Sequence, residues 1–208
     1  MKQYLIGLTG NIACGKSSVA AMLAEMGAEV IDADALVHQL MVPGSDSWRE
    51  IVETFGQGVL RHDGTIDRGQ LGEVVFRDPG ALEQLEAILH PRVRRLAEER
   101  IAASPSPVVV LEAIKLIEAG WASRVDSVWV VTCRREQQLE RLRARRGLSL
   151  AEAELRVRAQ SPAAEKLKHA DVVIDNSGSP RETRAQVENG WAREVKGGGP
   201  LPRRALGG

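Results

Sequence analysis

The chain has 208 residues, and its 28 Lys and Arg against 28 Asp and Glu leave a formal net charge of zero. That balance, with 43% hydrophobic and 27% charged residues, excludes a basic nucleic-acid coat, an acidic tail protein and a disordered chain. Two cysteines are too few for a disulfide framework, and no apolar run reaches a signal-peptide core or the roughly 20 residues of a membrane span, so a cytoplasmic protein is expected.

Tyr4 to Leu8 is a short apolar run ending in Thr9-Gly10, and from Lys16 onward Val19, Met22, Leu23 and Met26 recur at helical spacing until Gly27. The order is strand, glycine loop, helix. Glu29-Val30-Ile31 predicts a second strand that delivers Asp32-Ala33-Asp34 at its carboxyl end. About 70 residues of helical periodicity follow, through Ile51, Val52 and Phe55, then Leu71, Val74 and Val75, then Leu82 to Ile101. That is too much for a plain crossover, and it reads as a helical insertion on the carboxyl edge of an α/β sheet, where such folds bind ligands. Pro107 to Leu111 and Ser127 to Val131 are continuous β-branched runs of the kind found in strands buried on both faces, and Val172 to Ile174 is a shorter fifth candidate. Between the last two, Gln137 to Leu167 is helical and dense in arginine. It reads either as a mobile lid or as a solvated amphipathic hairpin. The Gly- and Pro-rich tail from Gly197 is expected to be flexible.

Gly10-Asn11-Ile12-Ala13-Cys14-Gly15-Lys16-Ser17 matches G-x-x-x-x-G-K-[ST] between a strand and a helix, where a phosphate loop has to be. Its glycines let successive amides from Asn11 through Ser18 converge on phosphate oxygens, the helix start adds positive dipole, Lys16 reaches the β- and γ-phosphates and Ser17 ligates Mg²⁺. Cys14 is expected to fill space. The guanine-specific Asn-Lys-x-Asp string is absent, which favours ATP. In an extended segment the carboxylates of Asp32 and Asp34 share a face, so one could take a proton from an acceptor hydroxyl and the other orient the substrate. One of the pair could instead cap a helix starting near Leu36. Glu112, after the run Val108 to Leu111, sits where a carboxylate near Mg²⁺ would be, or else caps a helix or forms an ion pair.

The ordered set of segments resembles dephospho-coenzyme A kinase over about residues 3 to 195. The likeness rests on Leu8-Thr9-Gly10 and the phosphate loop, Val30-Ile31-Asp32-Ala33-Asp34, Ile66-Asp67-Arg68-Gly69-Gln70-Leu71 with Val75-Phe76, Leu89-His90-Pro91, and Ala170 through Gly178. It implies a P-loop kinase fold, a parallel five-stranded sheet flanked by helices. The implied activity is transfer of the ATP γ-phosphoryl group, with Mg²⁺, to the ribose 3′-hydroxyl of dephospho-coenzyme A. In that reading Asp34 is the base, Lys16 and Ser17 contact phosphate and Mg²⁺, Arg145 is a lid arginine that approaches ATP, and Arg68 and His90 lie in the coenzyme A domain. His90 could equally cap a helix beginning at Arg92, and Arg68 could pair with Asp67 or Glu73.

The expected partition is a nucleotide-binding core of 1–45, 105–133 and 170–196, a coenzyme A-binding insertion of 46–104, a lid of 134–169 and a tail of 197–208. The chain departs from the family pattern at Asn11 and Ala13, and within Leu111 to Glu118, where Glu112 stands for Asp, Ile114 for Pro and Lys115 for Leu while Glu118 matches. The small-molecule substrate is the only expected partner, with no nucleic acid or membrane and a monomer or weak homo-oligomer as the assembly. A kinase of another nucleotide or small alcohol, or a nucleotide-dependent switch, are the alternative readings.

Overall fold

The structure, a computed structural model, describes residues 3–197, the side chains of Phe76, Arg145, Arg146 and Lys196 apart. Its centre is a five-stranded sheet in the order β2-β3-β1-β4-β5, formed by β1 (Tyr4–Thr9), β2 (Glu29–Asp32), β3 (Val108–Glu112), β4 (Ser127–Thr132) and β5 (Val172–Asp175). β1 pairs in parallel with β3, setting Leu8 opposite Glu112, and with β4, which in turn pairs in parallel with β5. Every residue of β3 is buried, which is why that strand reads as an unbroken β-branched run. After β1 the chain leaves towards β2, and after the neighbouring β4 it leaves towards β5. Connections departing in opposite directions open a crevice at the carboxyl ends of β1 and β4.

Two compact units make up the chain: one runs to Ile31 and resumes at Ser104, and the other is Asp32–Ala103. In the first, the sheet is flanked by α1 (Lys16–Glu25), α6 (Arg135–Arg146), α7 (Leu150–Arg158), α8 (Ala163–Leu167) and α9 (Pro180–Trp191). α1 turns Val19, Ala20 and Leu23 inward onto Ile6, Leu8 and the fully buried Trp129. Truncating a side chain like Trp129 to alanine would cost about 3–5 kcal/mol. Capping boxes set where α7 and α9 begin: Ser149 and Glu152 exchange side-chain and backbone hydrogen bonds, as do Ser179 and Glu182.

The second unit holds α2 (Ala33–Leu40), α3 (Asp46–Phe55), α4 (Arg68–Arg77) and α5 (Pro79–Ala103), closed over Ile51, Val59, Ile66, Leu71, Ile88 and Leu89. It begins at Asp32 and not near 46, because Val37, Leu40 and Met41 of α2 and its exit pack into this core. No helix begins at Arg92, so His90 caps nothing: α5 is a single helix of 25 residues with Pro91 inside it. Proline removes one amide and disturbs the carbonyls a turn earlier. The Arg92 guanidinium takes up one of them, donating to the Ile88 oxygen at 2.6 Å while also pairing with Glu50. Among the described residues no helix is long and apolar enough to cross a membrane.

Candidate active site

The phosphate loop begins where β1 ends. Gly10 has φ +151°, and a Cβ there would stand 2.3 Å from the Val131 oxygen, so the close passage of β4 admits only glycine. Gly15, at φ +94°, closes the loop with the Asn176 amide against the space where a Cβ would be. Between them Ala13 takes φ +58°, the left-handed region that glycine occupies more readily. α1 then starts with no side-chain cap and no acidic residue in its first turn, which leaves its leading amides and dipole to an anion. Lys16 is buried, and its ammonium donates to the Gly10 oxygen at 3.1 Å across the loop. Lys16 and the backbone from Asn11 to Ser18 thus lie together as the motif requires.

Glu112 is buried at the end of β3, and it accepts a hydrogen bond from the Ser17 hydroxyl at 3.2 Å. Hard oxygen donors side by side at the start of α1 fit Mg²⁺, which takes one or two protein oxygens and completes its shell with water and phosphate. Among the described residues no cluster of three or more His, Cys, Asp or Glu could hold a metal by itself.

Residues beyond the motif hold the loop from outside. Gln138 donates to the Ile12 oxygen at 2.8 Å, Arg141 to the Ala13 and Cys14 oxygens at 3.2 and 3.3 Å, and Asn176 to the Cys14 oxygen at 2.8 Å. Residues just before α8 hold its first turn: Gln160 accepts from the Ile12 amide at 2.7 Å, and Asn11 donates to the Ser161 oxygen at 3.1 Å. The arginine-rich segment therefore does not simply face water. Arg135 and Arg158 do pair with Glu154 on the surface, but Arg141 turns onto the loop. Arg145 lies on α6, and its side chain is outside the described residues, as is the expected tail beyond Gly197.

Cys14 is buried and accepts from Gln138 at its sulfur; the neighbouring Cys133 thiol draws it down to about 7 against the pull of burial, with Lys16 and Arg141 assisting. Cys133, beside the Cys14 thiol and partly buried, is pushed up, and its thiol donates to the Ala13 oxygen. The segment after β3 is fastened by Lys166. Its side chain is 3% exposed, and the ammonium donates to the Ile114 oxygen at 2.7 Å and pairs with Glu118 at 2.8 Å, while Thr9 also donates to Ile114. Burial raises the Glu118 carboxyl, but the Lys166 ammonium outweighs it and holds the group below the ordinary carboxylate range.

The second unit carries the acidic pair, and here the expectation needs correction. β2 stops at Asp32 and α2 starts at Ala33, so Asp32 and Asp34 do not share the face of an extended strand. Asp32 caps α2, accepting from the Asp34 and Ala35 amides at 2.8 and 3.3 Å, and Asp34 lies exposed in the first turn. Arg68 opens α4 behind the cap Asp67, and the carboxylates expected to absorb it are engaged by other arginines, Asp67 by Arg61 and Glu73 by Arg77. His90 lies mid-way along α5, half-buried. Gln138, Gln160 and Lys166 were not legible as site residues. The i, i+3 spacing of Gln138 and Arg141 on α6 is the signal that would have paired them.

A family model for dephospho-CoA kinase matches residues 4–182. A dephospho-CoA kinase of Symbiobacterium thermophilum is 52% identical over 203 residues, covering 95% of this chain and 84% of the relative. One from Geobacter sulfurreducens is 50% identical over 192 residues, covering 91% and 98%. Among solved structures, a Thermus thermophilus protein superposes with TM-score 0.82 at 37% identity over 94% of this chain and 99% of the other. The shikimate kinase of Acinetobacter baumannii, with TM-score 0.55 at 16% identity over 94% and 95%, shares the fold alone. With half of its residues held in common with such relatives along nearly its whole length, this chain belongs to the dephospho-CoA kinase family.

Proposed function

We propose that this chain transfers the γ-phosphoryl group of ATP to the 3′-hydroxyl of the ribose of dephospho-coenzyme A, the last step of coenzyme A synthesis, in the cytoplasm. The match to the family over residues 4–182 carries the reading. The phosphate loop, with its buried lysine and uncapped helix start, supports it independently. The transition state spreads charge over the equatorial oxygens of the moving phosphoryl group, so catalysis is mainly placement and electrostatics. Asn11 to Ser18 bind the phosphates through their amides, and Lys16 exchanges the Gly10 carbonyl for phosphate oxygens. Mg²⁺ held by Ser17 and Glu112 would neutralise charge on the phosphates as it develops. Arg145 approaches them from the lid.

On the acceptor side Asp34 takes the proton of the attacking hydroxyl. Asp32, by capping α2, fixes the turn from which Asp34 projects and offers its remaining oxygen to the substrate. Arg68 and His90 bind the rest of dephospho-coenzyme A in the helical unit. Incubation with ATP, Mg²⁺ and dephospho-coenzyme A, beside parallel samples with nucleoside monophosphates and shikimate, should give coenzyme A and ADP in equal amounts. ADP without coenzyme A, or faster turnover of another acceptor, would refute the assignment.

A further inference from the structure

Three successive carbonyls of the phosphate loop, those of Ile12, Ala13 and Cys14, are each taken by a side-chain donor from outside the motif. A trans peptide is planar, with its N–H opposed to its C=O, and the described chain holds no cis peptide. Holding the Ile12 and Cys14 carbonyls outward therefore turns the amides of Ala13 and Gly15 to the opposite side, the concave face of the loop, while the Cys14 amide donates to the Asn11 oxygen at 3.3 Å. We propose that Gln138, Arg141 and Asn176 are positioning residues that aim the Ala13 and Gly15 amides at the phosphates of the nucleotide. The inference rests on the nucleotide-binding role proposed above.

The donors are themselves held. Gln138, on α6, is 6% exposed, too buried for its amide to wander. The Asn176 side chain is oriented by Thr183, whose hydroxyl donates to its Oδ1 at 2.9 Å and leaves Nδ2 facing the Cys14 oxygen. Arg141 links the two sides, donating also to the Asn176 backbone oxygen at 3.0 Å. In this loop the motif supplies the flexible backbone, and the residues after β4 and β5 decide which way its peptides face. Amides aimed in advance need no reorganisation as negative charge accumulates on the phosphate oxygens.

The test uses Asn176→Asp, which keeps the shape but loses the donor, and Gln138→Met, which keeps the volume without one. Thermal melting and circular dichroism establish that each is folded. Binding of inorganic tripolyphosphate and the KM for ATP should weaken by about tenfold or more, since a bond to a charged group is lost or misaligned. The KM for dephospho-coenzyme A should stay within twofold. Should wild type bind tripolyphosphate and the variants bind it equally well, the clamp is wrong while the phosphate loop stands. Equal losses toward both substrates, in step with a lowered melting temperature, would make these contacts general packing and overturn the assignment. If wild type binds neither tripolyphosphate nor ATP, the nucleotide-binding reading falls and the clamp with it.

Discussion

Replacing Lys166 by methionine should loosen the segment after β3 by a measurable amount. The substitution keeps the apolar stem, so little volume is lost, but it leaves the Glu118 carboxylate and the Ile114 oxygen without their ammonium. Breaking a buried pair costs roughly 3–5 kcal/mol. Because the Glu118 side chain is 36% exposed and partly screened, about 2 kcal/mol is the appropriate figure here. For a chain of this size that corresponds to a fall in melting temperature of about 4–8 °C. The effect should also depend on pH. In the wild type the folded Glu118 carboxyl titrates below its unfolded counterpart. The stability it contributes is therefore complete above the unfolded value of about 4.3 and is lost as pH falls through the folded value. Melting curves of both proteins from neutral to acid pH should converge. A variant melting within about 1 °C of wild type at neutral pH, or a gap that persists on acidification, would refute the reasoning.

Asp34→Asn should depress turnover by at least about a thousandfold while leaving the affinity for ATP within a fewfold of wild type; isothermal titration beside steady-state kinetics checks both, and an active variant removes Asp34 as the base. Glu112→Gln, which keeps the Ser17 contact but removes the charge, should raise the Mg²⁺ concentration needed for half-maximal rate by about tenfold, read from a Mg²⁺ titration at saturating ATP. Cys14 is drawn down to about 7, so a thiolate forms inside the loop as pH rises through neutrality. The ultraviolet absorbance of the thiolate should show that midpoint, the KM for ATP should increase over the same range, and both should vanish in Cys14→Ser.

The strands were legible because a sheet buried on both faces demands continuous β-branched runs, and Val108 to Leu111 and Ser127 to Val131 meet that demand with no competing helical pattern. The phosphate loop was legible because each of its residues answers a separate requirement. The acidic pair was misread at one point. An aspartate after an apolar run serves equally as the last strand residue or as a cap, and Asp32 satisfies two amides by capping, which starts the helix one residue later and turns Asp34 out of the strand. His90-Pro91 misled for a related reason: proline ordinarily marks a boundary, but here the Arg92 side chain supplies a donor for the disturbed carbonyls, so α5 continues. Gln138, Asn176 and Lys166 serve the site through long-range approaches of α6, β5 and α8, and no local pattern announces such meetings.

The loop is not a set of bare charges, because its own groups supply internal partners. Lys16 rests on the Gly10 carbonyl, and the Ile12 amide is taken by Gln160. Nucleotide capture is therefore a trade of neutral internal partners for charged external ones, and only the difference appears as affinity. The same trade runs in reverse when ADP departs. Lys16 and the Ile12 amide each have a substitute within reach, the Gly10 oxygen and Gln160, so release does not strand a buried ammonium.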